Sequence, residues 1–216
     1  MLFGVNSQSL KLPTKESALP DRSEPLSFTR EHFVNSNPIT DPVPKHLSKA
    51  VYGMGCFWGA ERLFWQAKGI FSTAVGYAGG ITANPSYEDV CSGMTAHTEV
   101  VLAYFDPSIC GYEDMLSLFW ESHDPTQGMR QGNDRGTQYR SAIYAVDEEQ
   151  LRIAQSSKET FQEALMAKGY STITTEIRRL ETFYYAEDYH QQYLAKNPNG
   201  YCGLSNTGAR YRSKND

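Results

Sequence analysis

The chain has 216 residues, 40% hydrophobic and 21% charged, a size and composition that suit one domain with a full core. A formal charge of −5 argues against a general nucleic-acid or anionic-membrane binder, and no apolar run approaches the roughly 18 residues a membrane helix needs. Cys56, Cys91, Cys110 and Cys202 make no C-x-x-C pair, which disfavours a structural zinc site. The opening stretch MLFGVNSQSLKLPTKES has neither a basic start nor a long apolar segment, so the expected compartment is the cytoplasm. There the thiols are free or form a cycling redox pair.

Residues 1–47 hold six of the ten prolines and no sustained periodicity, and they read as an extended arm. A catalytic domain is expected over 48–205 and a polar tail over 206–216. AVYGM (Ala50–Met54) reads as a short strand. FWGAERLFWQAKG reads as a helix over 57–69, with Trp58, Arg62 and Trp65 near helical spacing and Gly69 as a C-cap. Residues 71–80 read as a strand running into a Gly-Gly turn, and 81–97 as a polar loop with one helical turn. Thr98–Asp106 is an almost unbroken apolar run with β-branched residues, which marks a buried strand. Tyr112, Met115, Leu116, Phe119 and Trp120 fall on one face of a helix over 111–124. A strand is expected over 137–147 and a long helix over 147–169, with Asp147 as N-cap and Gly169 as stop. A further strand over 171–180, a short helix over 186–200 and an irregular tail carrying Cys202 complete the chain. Interleaved helices and strands predict a mixed sheet with helices packed on it.

Three stretches carry chemistry. GMGCFWG places Cys56 where a strand meets a helix, where unpaired N–H groups and the helix dipole favour an anion. A nucleophilic thiol with lowered pKa is one reading; a small buried hydrophobe is the other. Gly55 and Gly59 let another molecule approach the backbone closely, which favours the first. Glu99 opens the buried strand; it is either solvated there or a general acid with raised pKa. The loop from His123 to Ser141 is dense in Gly, Gln, Asn, Asp and Arg and is long for a plain connector. Tyr87 and Tyr139 lie near these loops and offer hydroxyl donors. His190 sits beside a packing stripe of Tyr185, Tyr189 and Tyr193 and reads as structural. His97 lies near Glu99 in sequence only, and His32 and His46 fall in the arm without a pattern.

GCFWG (Gly55–Gly59), GNDRGTQYRSAIY (Gly132–Tyr144), YYAEDYHQQYL (Tyr184–Leu194) and NPNGYCG (Asn197–Gly203) together resemble the peptide methionine sulfoxide reductase A family, in the family's order. The resemblance covers residues 48–205. It implies an α+β fold with a split β-α-β, ferredoxin-like core, a long irregular N-terminal arm and a C-terminal coil. It implies reduction of the S epimer of methionine sulfoxide, free or in oxidised proteins, without metal or cofactor. Cys56 is then the nucleophile, Phe57 and Trp58 the pocket for the substrate's S-methyl group, and Glu99, Tyr87 and Tyr139 the binders of the sulfoxide oxygen. Asp134 belongs to the polar network around them, and Cys202 resolves the oxidised Cys56. Thioredoxin is the expected reductant, and a monomer that binds neither nucleic acid nor membrane is expected. The tail departs from some bacterial members in having no cysteine after Cys202. A three-cysteine relay is therefore not expected; Cys91 and Cys110 read as bystanders, Cys91 with a second reading as a backup resolver.

A thiol peroxidase, a cysteine hydrolase and a non-catalytic reader of oxidised methionine are the competing readings. GMGCFWG lacks the Thr/Pro-rich approach of the first, no histidine stands in a motif with Cys56 for the second, and retention of both Cys56 and Cys202 argues against the third.

Overall fold

The computed structural model describes residues 10–211. Its elements in chain order are β1 (Ser48–Met54), α1 (Phe57–Trp65), β2 (Ile70–Ala78), α2 (Tyr87–Cys91), β3 (Thr98–Phe105), α3 (Tyr112–Ser122), β4 (Arg130–Gln131), β5 (Asp134–Arg135), β6 (Ser141–Ala145), α4 (Glu148–Met166), β7 (Glu176–Arg179), β8 (Phe183–Tyr185) and α5 (Tyr193–Lys196). Six strands form one sheet in the order β7-β6-β1-β3-β2-β8, and β4 with β5 makes a small hairpin in the polar loop. Neighbours run antiparallel except β6 and β7, which are parallel. A parallel pair needs a crossover, and α4 supplies it. The expected mixed sheet with helices packed on it is what forms.

β3 is apolar at consecutive positions because both faces of the sheet are covered. Val101, Ala103 and Phe105 face one core with Tyr52, Met54, Val75 and Tyr77, under α1, α3 and α4. Val100, Leu102 and Tyr104 face a second core with Val51, Ala74 and Tyr144. The arm roofs that second core: Ile39 is fully buried in it, with Phe28, Val43 and Leu47 alongside. Alternation of period two along each strand therefore sorts the side chains between helices and arm. Glu99 falls on the helix side.

Several boundaries differ from the sequence reading. The strand expected over 171–180 begins only at Glu176, because Ile173 donates its N–H to Gln162 and Thr174 to the Pro125 carbonyl rather than to a strand. The strand expected from 137 begins at Ser141, with a 3-10 turn over Thr137–Tyr139 ahead of it. The helical turn expected in 81–97 is α2, capped by Ser86 and Asp89. The helix expected over 186–200 shrinks to α5, and the stripe of Tyr185, Tyr189 and Tyr193 does not form. Tyr185 lies on the unforeseen strand β8, and Tyr189 is exposed. Gln192 is the cause, since its left-handed backbone (φ 49°, ψ 41°) interrupts any helix running through it. Residues 1–9 of the arm and 212–216 of the tail lie outside the described residues. Among the described residues no helix is long and apolar enough to cross a membrane.

Arg140 staples the region around the polar loop. Its buried guanidinium donates to Glu176 (2.8 Å), the Thr137 carbonyl (2.9 Å), the Ala96 carbonyl (2.9 Å) and the Tyr144 hydroxyl (3.1 Å). Arg140→Ala strands these acceptors in the interior and should cost about 3–5 kcal/mol. A lowered midpoint in urea unfolding checks this; an unchanged midpoint would show that water replaces the guanidinium freely.

Candidate active site

The turn from β1 into α1 is built on Gly55. Its φ is +89°, and a Cβ there would stand 2.6 Å from the Cβ of Gln131. Both facts call for glycine. The turn leaves Cys56 as the residue capping α1, with φ −53° and ψ 121°. The first backbone N–H groups of a helix lack helical partners, and here the first of them is taken by the site. The Phe57 N–H donates to Oε2 of Glu99 at 3.0 Å, and the Trp58 N–H acts on the Cys56 sulfur electrostatically.

Glu99 is only 1% exposed, and it is paired across the sheet with Tyr77. Burial raises its pKa to about 8, the Asp134 carboxylate adds to the rise, and the Phe57 N–H opposes it. At neutral pH the carboxyl holds its proton. The Cys56 thiol is also pushed up, first by burial, then by Glu99, against the Trp58 N–H, with Asp134 and Cys202 adding to the rise. This reverses the lowered pKa expected at a helix start. The dipole contributes about 0.3–1 kcal/mol at an exposed terminus. Desolvation and two neighbouring carboxyls outweigh it here.

Aromatic rings surround the thiol on one side. Phe57 is buried against Tyr77 and His190, with ring centroids 5.9 and 5.1 Å apart. Trp58 is half-buried; it stacks on Tyr193 at 4.0 Å and donates its indole N–H to Nδ1 of His190 at 3.0 Å. His190 is buried and also meets Tyr87 and Tyr189. Burial holds its pKa down to about 4, so the ring is neutral. The Tyr87 and Tyr139 hydroxyls lie within electrostatic reach of both Glu99 and Cys56, and burial raises both phenols.

The Cys202 segment lies across the start of α1. A Cβ on Gly59 would stand 2.8 Å from the Cys202 sulfur, so glycine makes room for that thiol one turn along from Cys56. Tyr201 donates to Oδ2 of Asp134 at 3.2 Å, and a Cβ on Gly203 would press the same carboxylate at 2.7 Å. The β4–β5 hairpin thus seats the segment that carries Cys202.

The structure gathers all eight residues singled out from the sequence: Cys56, Phe57, Trp58, Tyr87, Glu99, Asp134, Tyr139 and Cys202. The sequence reading missed Glu187, which accepts from the Tyr77 hydroxyl (2.9 Å) and the Tyr87 N–H (2.8 Å). It also missed Tyr201 and the place of His190 and Tyr193 against Trp58. All but Tyr201 lie in the quoted stretch YYAEDYHQQYL, whose density of polar and aromatic residues was the available signal. Cys91 is an exposed residue whose sulfur faces inward; burial of that sulfur, with Glu99 adding to the rise and Tyr87 and Gln138 opposing it, raises its pKa to about 11. Cys110 is core. The other buried histidines serve the fold: His97 joins Gly80 and Thr82, His123 joins Phe119 and Ser141, and His32 joins Thr73. Among the described residues no three His, Cys, Asp or Glu side chains cluster as a cation site.

Comparison with known proteins places the chain in a family. The family model "Peptide methionine sulfoxide reductase" matches residues 48–215. The chain is 61% identical over 204 residues to a peptide methionine sulfoxide reductase MsrA of Ectopseudomonas mendocina, covering 94% of this chain and 93% of that one. Among solved structures, methionine sulfoxide reductase A of Corynebacterium diphtheriae is 43% identical with a TM-score of 0.84, over 89% of this chain and 93% of that one. Mxr1 of Saccharomyces cerevisiae in reduced form is 34% identical with a TM-score of 0.66, over 79% and 95%. Mxr1 has also been crystallised in complex with Trx2, a structure 22% identical with a TM-score of 0.51, over 77% and 94%. The matched span runs from β1 through the Cys202 segment and so contains every group of the thiol site; the chain belongs to the peptide methionine sulfoxide reductase family.

Proposed function

We propose that the protein reduces methionine S-sulfoxide, free or in oxidised proteins, back to methionine. The observation that carries this reading is the pairing of the Cys56 thiol with a carboxyl, Glu99, that is buried and protonated. A sulfoxide has an electrophilic sulfur and a basic oxygen. Cys56 attacks the sulfur while Glu99 gives its proton to the oxygen. The oxygen, now a hydroxyl, passes to the Cys56 sulfur as its bond to the substrate sulfur and the bond between the two sulfurs break; methionine leaves, Cys56 is left as a sulfenic acid, and the thiol proton restores Glu99. Tyr87 and Tyr139 stabilise charge on the oxygen. Trp58, with Phe57 behind it, forms the apolar wall for the S-methyl group. A raised thiol pKa fits this scheme: Cys56 ionises as substrate arrives beside neutral Glu99, and it does not rest as a thiolate.

Cys202 then condenses with the sulfenic acid, forming the Cys56–Cys202 disulfide and water. Asp134 acts through Tyr201, holding the Cys202 segment at the site. A thioredoxin dithiol reduces the disulfide directly, since the sequence has no cysteine after Cys202 to relay it. The Trx2 complex belongs to the yeast relative, and we carry that partnership here as part of the reading. Every group that the sulfoxide step and the disulfide need lies in one chain, which supports a monomer; we carry the cofactor-free chemistry and a repair role in the cytoplasm as parts of the same reading. We also read 1–47 as an arm, 48–205 as the catalytic domain and 206–216 as a tail. The strand order β6-β1-β3-β2, with α1 and α3 as connections, supports a split β-α-β core.

A single turnover without reductant tests the reading. Reduced protein mixed with the S epimer of a blocked methionine sulfoxide should yield methionine with loss of two thiols, and the R epimer should yield none. Methionine from neither epimer would discard the reading. Cys202→Ser should keep that one turnover while slowing thioredoxin-driven cycling; unaltered cycling would remove Cys202 from the scheme.

The rate of that turnover should fall as pH rises through about 8, where Glu99 loses its proton. Glu99→Gln should abolish this limb and lower the rate roughly 10²–10⁴-fold. Stability has a matching sign. Between 4.5 and about 8 the unfolded carboxyl ionises and the folded one does not, so Glu99 makes the native state lose stability as pH rises through that window. Urea midpoints of Glu99→Gln should show a smaller loss across it than the parent chain.

A further inference from the structure

Helix α1 carries a second buried carboxyl that the sulfoxide chemistry does not use. Glu61 is fully buried, three residues from Trp58 and so on the same side of the helix. Its Oε1 accepts from the Thr73 hydroxyl (3.0 Å) and the Gln192 side-chain amide (2.7 Å). Its Oε2 accepts from the Gln192 backbone N–H at 2.8 Å. All three neighbours donate, which is what a carboxylate requires.

Gln192 is the residue whose left-handed backbone breaks the chain between His190 and α5. Such a conformation is unfavourable for a residue with a Cβ and persists only where its surroundings hold it. Glu61 does so with two bonds. The Gln192 amide also donates to the Thr73 carbonyl (3.3 Å), and its oxygen accepts from the Phe33 N–H of the arm (3.0 Å).

The two residues that fix Trp58 flank this kink. His190, two residues before, takes the indole N–H; Tyr193, one residue after, stacks on the indole ring. His190 has no partner for Nε2 among the described residues. Its place therefore rests on Trp58, its ring neighbours and its own backbone. The path from Glu61 to Gln192 to His190 and Tyr193 returns to Trp58 on the helix where it began.

We propose that Glu61 is a positioning residue for the substrate pocket: by gripping Gln192 in its left-handed conformation it sets His190 and Tyr193 against Trp58. The proposal rests on the reading of Trp58 as the wall that receives the substrate's methyl group. Glu61 touches neither substrate nor thiol.

Glu61→Gln turns an amide N–H₂ toward donors and loosens the grip at nearly unchanged volume. It should lower kcat/KM for a blocked methionine S-sulfoxide about 10- to 100-fold, mainly through KM, because small misplacements of a binding wall are that costly. Oxidation of Cys56 by hydrogen peroxide, which needs no apolar wall, should keep its rate. In a Trp58→Ala background Glu61→Gln should add little, since the two act as one unit. Gln192→Gly, at ease with positive φ, should retain more activity than Gln192→Ala. An unchanged KM in Glu61→Gln, an undiminished effect in the Trp58→Ala background, equal losses in the two Gln192 variants, or a parallel fall in peroxide reactivity would each overturn the proposal. Failure of the unmodified protein to yield methionine would overturn the sulfoxide reading first, and that outcome is visible before any variant is made.

Discussion

The hydrogen bond from the Phe57 N–H to the buried carboxyl of Glu99 is the contact on which the rest of the site depends. A helix start offers unpaired donors, and here one of them lands on a side chain from the middle of the sheet. The bond ties the start of α1 to β3, beside the Cys56 thiol on which the Glu99 carboxyl acts electrostatically. Burial then decides the protonation state. A carboxyl with one N–H partner and, among the described residues, no cation acting on it cannot recover its lost hydration, so it stays neutral to about pH 8. The same desolvation keeps the thiol neutral. Two groups that would repel as anions are thus stored as a pair of acids, which is the state that the proposed sulfoxide chemistry asks for.

The pocket is assembled from parts far apart in the chain, and each is fixed by a buried polar contact. Arg140 ties the Tyr139 turn to the sheet, and Glu187 holds the start of α2 where Tyr87 stands. Gln191 uses its amide as a stretch of strand, accepting from the Val75 N–H and donating to the Val75 and Ala186 carbonyls. The arm enters the same scheme through His32, Thr73 and Glu61. Val34 donates to Nδ1 of His32, so Nε2 carries the hydrogen toward Thr73, whose hydroxyl donates on to Glu61. Donor follows acceptor without a break from the arm to the helix that carries Cys56.

Much of the fold was legible in the sequence. The unbroken apolar run of β3, the heptad-like face of α3 and the Asp147 start of α4 each carry a local signal: continuous hydrophobicity, helical spacing and a capping side chain. The thiol turn was legible because glycines flank it and aromatics follow. Other features carried no local signal. Strand β8 is three residues long and exists because β2 offers it an edge. The helix expected over 186–200 fails at Gln192, an ordinary helix former held in a left-handed conformation by a carboxylate 131 residues away. Its neighbours, not its own preference, choose its backbone.

The sequence by itself determined most of the elements, the order of the motifs and the candidate reactive groups. These follow from side-chain type and spacing, which are local properties of the chain. Only the tertiary structure decided the protonation of Cys56 and Glu99, because a pKa is set by what surrounds the group once water has left. A helix start on its own predicts an anion; enclosed with two carboxyls at the centre of the fold, it holds an acid. The tertiary structure also decided that His190 belongs to the pocket wall and that the arm reaches α1, since both depend on partners that meet only when the sheet has closed.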